Sequence, residues 1–124
     1  DNYYAFLTDG ITMINGVSIL NAEHIIPFKA KAWLDLTQRK ENGEHIDSRD
    51  IKKHENDAIR LSMLLTSTTK INLPNLIKED LSQFIQYLDK DELNLKQLDI
   101  RNMSKKTLIQ LLCNVYELSI LQYT

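Results

Sequence analysis

Cysteine is almost missing from this chain of 124 residues, which contains one, and glycine and proline are scarce at three and two. A lone cysteine cannot build a disulfide framework or a cysteine-rich zinc knuckle, and it suits a reducing cytoplasm, the expected compartment. Cys113 lies in the apolar run Leu111-Leu112-Cys113-Asn114-Val115 and is predicted to be a small buried hydrophobe, not a nucleophile. With so little glycine there is no phosphate-cradling loop: Gly43 stands alone, so neither a P-loop nor a dinucleotide fingerprint is present, and no nucleophile elbow marks a serine hydrolase. Apolar runs never approach the roughly 18 residues of a membrane span. Nor does a basic-then-apolar leader open the sequence, so a soluble protein without membrane contact is expected.

Charge of one sign is also lacking. Fifteen Lys and Arg face seventeen Asp and Glu, a formal net charge of −2. No strong nucleic-acid signal follows from that balance. What the chain does have is 43% hydrophobic content, enough for one core but not for two ordinary domains.

Residues 3 to 20 carry two hairpin signals. Asp9-Gly10 follows the aromatic-rich run Tyr3 to Thr8, and Asn15-Gly16 separates Ile11–Ile14 from Val17–Leu20. The reading is a short antiparallel β-meander over 1–20 that extends or completes a larger sheet, as expected if the chain is the C-terminal part of a longer protein. From Asn21 the periodicity turns helical, and residues 21–124 form a helical subdomain of four to five packed helices. The fold class is therefore α+β, predominantly helical.

The first long helix is expected from Asn21 or Ile26 to about Lys40, and a second from Asp47-Ser48 to about Leu65. A third opens near Asn72-Leu73-Pro74, with Ile77, Leu81, Phe84, Ile85 and Leu88 on one stripe. A helical turn around Leu95 to Leu98 precedes a last helix capped by Ser104.

Two features of the stretch 23–65 point to chemistry. On a helix, Ile25, Trp33 and Leu36 fall within about 40° of Lys29, which puts this lysine on an apolar face while Lys31 points away to solvent. Such a lysine either snorkels its amine to water or emerges at a cleft to neutralise an anion. In the next helix Asp50, Lys53, His54 and Asp57 share a stripe that continues into Leu61, Leu64 and Leu65, as if its first half bordered a cavity and its second half were packed. The plain alternative is a solvated first half laced with charge pairs. Asp50, His54 and Asp57 also have helical metal-ligand spacing, but His24 and His45 are not tied to them by any spacing, so zinc is disfavoured.

Lys29, Ala32, Arg39 and the Arg49-Asp50 pair, with Asp57 as a second aspartate, resemble the later half of nucleotidyltransferases of the AbiEii toxin kind. The resemblance covers about a third of the chain. It implies transfer of a nucleoside monophosphate from a nucleoside triphosphate to an unknown acceptor, with Mg²⁺ held by carboxylates. Lys29 and Asp50 would then be catalytic, and Lys29, Arg39, Arg49, His54 and Asp57 would contact the nucleotide, with either Asp50 or Asp57 as the family's aspartate. The sequence departs from the family in lacking its Gly-Ser and Asp-x-Asp metal-binding half. Gly16-Val17-Ser18 is not that motif, and Asp89-Lys90-Asp91 lies far downstream. The Mg²⁺ ligands are therefore expected outside this chain, which alone should be inactive. The competing expectation is a non-enzymatic helical module whose charged stripe binds a protein partner.

Overall fold

A computed structural model describes residues 2–15 and 17–120, with the side chains of 17–20 left out of account. Helix α1, Asn2–Asp9, leads into a hairpin of β1, Ile11–Ile14, and β2, Val17–Leu20. Four longer segments follow: α2, Ala22–Glu41; α3, Ser48–Ser62; α4, Asn75–Lys90; and α5, Lys105–Tyr116, with a 3-10 turn at Leu95–Leu98 between the last two. The predominantly helical α+β class holds.

The expected meander is corrected at its first strand. Residues 3 to 8 are helical, and only β1 and β2 pair, antiparallel, with Ile11 opposite Leu20 and Ile14 opposite Val17. The aromatic residues favour a strand locally, but packing decides otherwise. Tyr3 and Phe6 are spaced i, i+3; Phe6 is buried and stacks on His24, while the Tyr3 hydroxyl donates to Asp80 Oδ2 of α4 at 2.7 Å. Gly10 ends α1 where a side chain would not fit, since a Cβ there would lie 2.3 Å from His24 Cγ. Asn15 supplies the left-handed turn residue, φ 52°, while Gly16 of the expected Asn-Gly turn lies outside the described residues. β1 is exposed along its whole length, Ile11, Met13 and Ile14 included.

Helix α2 is the hub, packed on α3 along one side, on α4 along another and on α1 at its start. It buries Ile26, Pro27, Ala30 and Trp33. Pro27 lies inside the helix instead of delaying its start. A proline lacks the N–H that would donate to the carbonyl four residues back, here that of Glu23. The fold supplies a substitute, because the buried Tyr116 hydroxyl of α5 donates to the Glu23 carbonyl at 2.6 Å. Burial, then the Glu23 charge, pushes the Tyr116 phenol well above its ordinary value, so it remains a neutral donor.

Helix α3 is capped by Asp47, whose carboxylate accepts from the Arg49 backbone N–H, and α5 by Ser104, whose hydroxyl accepts from that of Thr107. The α4 stripe is as the periodicity requires: Ile77, Leu81, Phe84, Ile85 and Leu88 are all at most 1% exposed. With Leu108, Ile109, Leu112 and Val115 of α5 they form the centre of the core, and Cys113 is buried beside them. No helix among the described residues is long and apolar enough to cross a membrane.

Candidate functional site

The buried stripe of α3 is Glu55, Ala58, Ile59 and Ser62, one residue out of step with the stripe expected from the sequence. Leu61 and Leu65 are consequently half-buried at the edge of the core, and Leu64 stands 70% exposed, so of the second half of the expected stripe only Leu64 is turned out of the core altogether. Glu55, by contrast, is 1% exposed and held by the Lys52 ammonium at 2.8 Å.

This rotation sets the polar residues of α3 against α2. Lys29 Nζ meets Asp57 Oδ2 at 3.1 Å, each side chain about a quarter exposed. His54, one turn before Asp57, is half-buried, with Nδ1 enclosed and without a partner among the described residues, and its pKa is lowered, first by burial and then by the Lys29 ammonium. Lys29 is thus not in the middle of the apolar face; it stands on the border between the buried stripe and the α2–α3 groove. A pair this exposed contributes up to about 1 kcal/mol, so it positions two charges more than it stabilises the fold.

Three of the expected site residues do not join this centre. Arg39 lies ten residues beyond Lys29, about 15 Å along the helix by its rise, and pairs with Glu44 at 3.1 Å in solvent. Arg49 is 91% exposed and grips its own cap, Asp47, at 2.8 Å. Asp50 is exposed in the first turn of α3, two turns before Asp57. Of the two candidate aspartates, only Asp57 touches Lys29. Lys31, expected in solvent, instead bridges Asp35 at 3.2 Å and Asp80 at 3.6 Å, and so ties α2 to α4.

Beside the ion pair runs a shallow groove of about 470 Å³, lined by Ile25, Leu61 and Leu64 with Lys29, Asp57 and Arg60 at its polar edge. Arg60 was not singled out by the sequence pattern. Its signal is the i, i+3 spacing from Asp57, which places both on one edge of α3. Chemically, the centre presents two cations at an apolar groove, one of them balanced by a carboxylate, and a neutral imidazole next to them.

Among the described residues no three His, Cys, Asp or Glu side chains stand close enough together to share a metal ion. One carboxylate, Asp57, already bound by Lys29, does not make a Mg²⁺ site, so these residues do not fit that ion. No family model, no curated protein and no solved structure matches this chain.

Proposed function

We propose that this chain is the helical half of a nucleotidyltransferase site, in which Lys29 neutralises the phosphates of a nucleoside triphosphate and Asp57 positions the Lys29 ammonium. The observation that carries the proposal is the Lys29–Asp57 contact at 3.1 Å, flanked by His54, at the mouth of an open groove. Nucleotidyl transfer builds negative charge on the phosphoryl oxygens, and a fixed ammonium offsets it without having to be reoriented during the reaction. His54, kept neutral, can accept or pass a proton on the acceptor side. In this reading Arg39, Arg49 and Asp50 carry no direct contact, and Mg²⁺ belongs with a Gly-Ser and Asp-x-Asp half outside residues 1–124.

The test is nucleotide transfer by the full-length protein, followed with α-labelled triphosphates. Lys29→Ala is expected to lower turnover by about 10²- to 10³-fold, the usual cost of removing one preorganised charge-stabilising group, with little change in thermal stability. Retention of wild-type transfer by that variant would sink the proposal.

A second reading has its own observation. Leu64, which lines the same groove, is 70% exposed, which suits a helical module that docks a protein partner. Leu64→Ser would then abolish partner capture while leaving nucleotide transfer, if any, untouched.

A further inference from the structure

Lys53, Asp57 and Arg60 follow i, i+4, i+7 spacing and stand in one row along α3, about 10 Å long from the helical rise. Leu64 extends the row from the turn that closes the helix, where its N–H donates to the Leu61 carbonyl at 3.0 Å. Three cations meet one carboxylate here, because Lys29 of α2 holds Asp57 at 3.1 Å. Asp57 is within helical reach of both Lys53 and Arg60 but is already taken. Both of these exposed cations are left without an ion-pair partner among the described residues, and Asp50, the next acid along α3, pairs with neither. Three cations against two acids make a positive strip on a chain whose net charge is −2.

Beside the strip lies the apolar wall of the α2–α3 groove, Ile25, Leu61 and Leu64. The groove is shallow, with Leu64 standing out at its lip. A small molecule lying in it would keep much of its surface in water, whereas sites for small ligands bury most of it. An amphipathic helix laid along such a groove covers the apolar wall with one face and reaches the charged edge with residues beside that face. The same wall argues against nucleic acid, whose backbone would satisfy the cations but leave three aliphatic side chains uncovered.

We propose that the α2–α3 groove docks an acidic amphipathic helix of a partner protein, whose carboxylates, two turns apart, pair with Lys53 and Arg60. This rests on the docking reading of Leu64 and supplies the chemistry of what docks. The partner's apolar stripe covers Ile25, Leu61 and Leu64. Its two acids match the seven-residue separation of the cations, since a helix repeats its edge every two turns. Complementary charge of this kind sets register and partner choice more than affinity, which comes from the apolar wall.

The probe is a fluorescein-labelled Ala-Leu helix of about 18 residues, beyond the length at which isolated helices are marginal. It carries one leucine stripe flanked by Glu at two positions seven apart, and a control helix carries Gln at both. Titrated with the intact protein and followed by anisotropy, the Glu helix should bind saturably and the Gln helix about ten-fold more weakly, the combined scale of two exposed ion pairs. Arg60→Gln and Lys53→Gln should each weaken the Glu helix about three-fold and leave the Gln helix unchanged. Leu64→Ser should weaken both helices. All three residues are exposed, so the urea midpoint should stay in place. Equal affinity for the two helices, or wild-type binding of the Glu helix by Arg60→Gln, overturns the acidic partner while leaving Leu64 a docking face. No saturable binding of either helix, or binding indifferent to Leu64→Ser, overturns the docking reading as well. A labelled single-stranded oligonucleotide that binds more tightly than the Glu helix, and is released by Arg60→Gln, would assign the strip to nucleic acid instead.

Discussion

The link between Pro27 and Tyr116 allows a sharp test of how this fold tolerates a proline inside its longest helix. Pro27 leaves the Glu23 carbonyl without its helical donor, and the Tyr116 hydroxyl, 93 residues away in sequence, takes that place at 2.6 Å. Tyr116→Phe removes the hydroxyl from a site that is 0% exposed and leaves the carbonyl unsatisfied, at a cost of about 1–3 kcal/mol. Pro27→Ala restores a backbone N–H to the same carbonyl. In the wild-type background that N–H gains little, because the carbonyl is already bonded; in the Tyr116→Phe background it replaces the lost bond. The volume lost on trimming the proline ring is common to both backgrounds and cancels in a double-mutant cycle. Urea unfolding of the four proteins should therefore show a coupling of about 1–2 kcal/mol, with Pro27→Ala rescuing Tyr116→Phe. Additivity within about 0.5 kcal/mol would refute the reasoning, because independent sites add to that precision.

Further outcomes follow from the same contacts. Gly10→Ala should unfold α1 from α2, since its Cβ would collide with the His24 ring; loss of hydrogen-exchange protection confined to residues 2–9 and the start of α2 checks this. Lys52→Ala should cost about 1–3 kcal/mol by urea unfolding, more than an ordinary surface change, because it leaves the Glu55 carboxylate buried and unpaired. His54 has a pKa below its unfolded value, so the unfolded chain binds the extra proton first as pH falls. Its contribution to stability is full above about pH 6.5 and is lost as pH drops through the lowered folded value; His54→Gln should flatten the stability profile in that window, and an unchanged slope would count against it.

Much of the helical layer is readable from the sequence because the signals are local. Asp47 and Ser104 act as caps where short polar side chains precede helical periodicity, and the α4 stripe is core throughout. The 3-10 turn falls on Leu95–Leu98 as expected. Residues 3 to 8 were misleading because two signals conflict: β-favouring aromatics and a following Asp-Gly suggest a strand, while the i, i+3 spacing of Tyr3 and Phe6 fits a helix docked on α2 and α4. Pro27 misled in the same way. Its tolerance depends on a hydroxyl from the far end of the chain, which no local rule contains.

The candidate site divides along the same line. Within one helix, periodicity fixes which residues share a face, and that is why Asp50, His54 and Asp57 form one group in the sequence. Which turn of that face meets α2 depends on how the two helices are rotated and shifted, and the burial of Glu55, Ala58, Ile59 and Ser62 sets this. That packing carries Asp57 to Lys29 and turns Leu64 outward, while Asp50 stays in solvent at the start of α3. Arg39 and Arg49 are claimed by acids close in sequence, Glu44 and Asp47, before any distant partner can compete. The buried Glu55 can take its place in that stripe because Lys52, one turn earlier on the same helix, holds its carboxylate at 2.8 Å. Lys52→Arg, which keeps a cation on Glu55, should therefore hold the urea midpoint close to the wild-type value, and a loss as large as that of Lys52→Ala would show that the charge on Glu55 is not what Lys52 contributes.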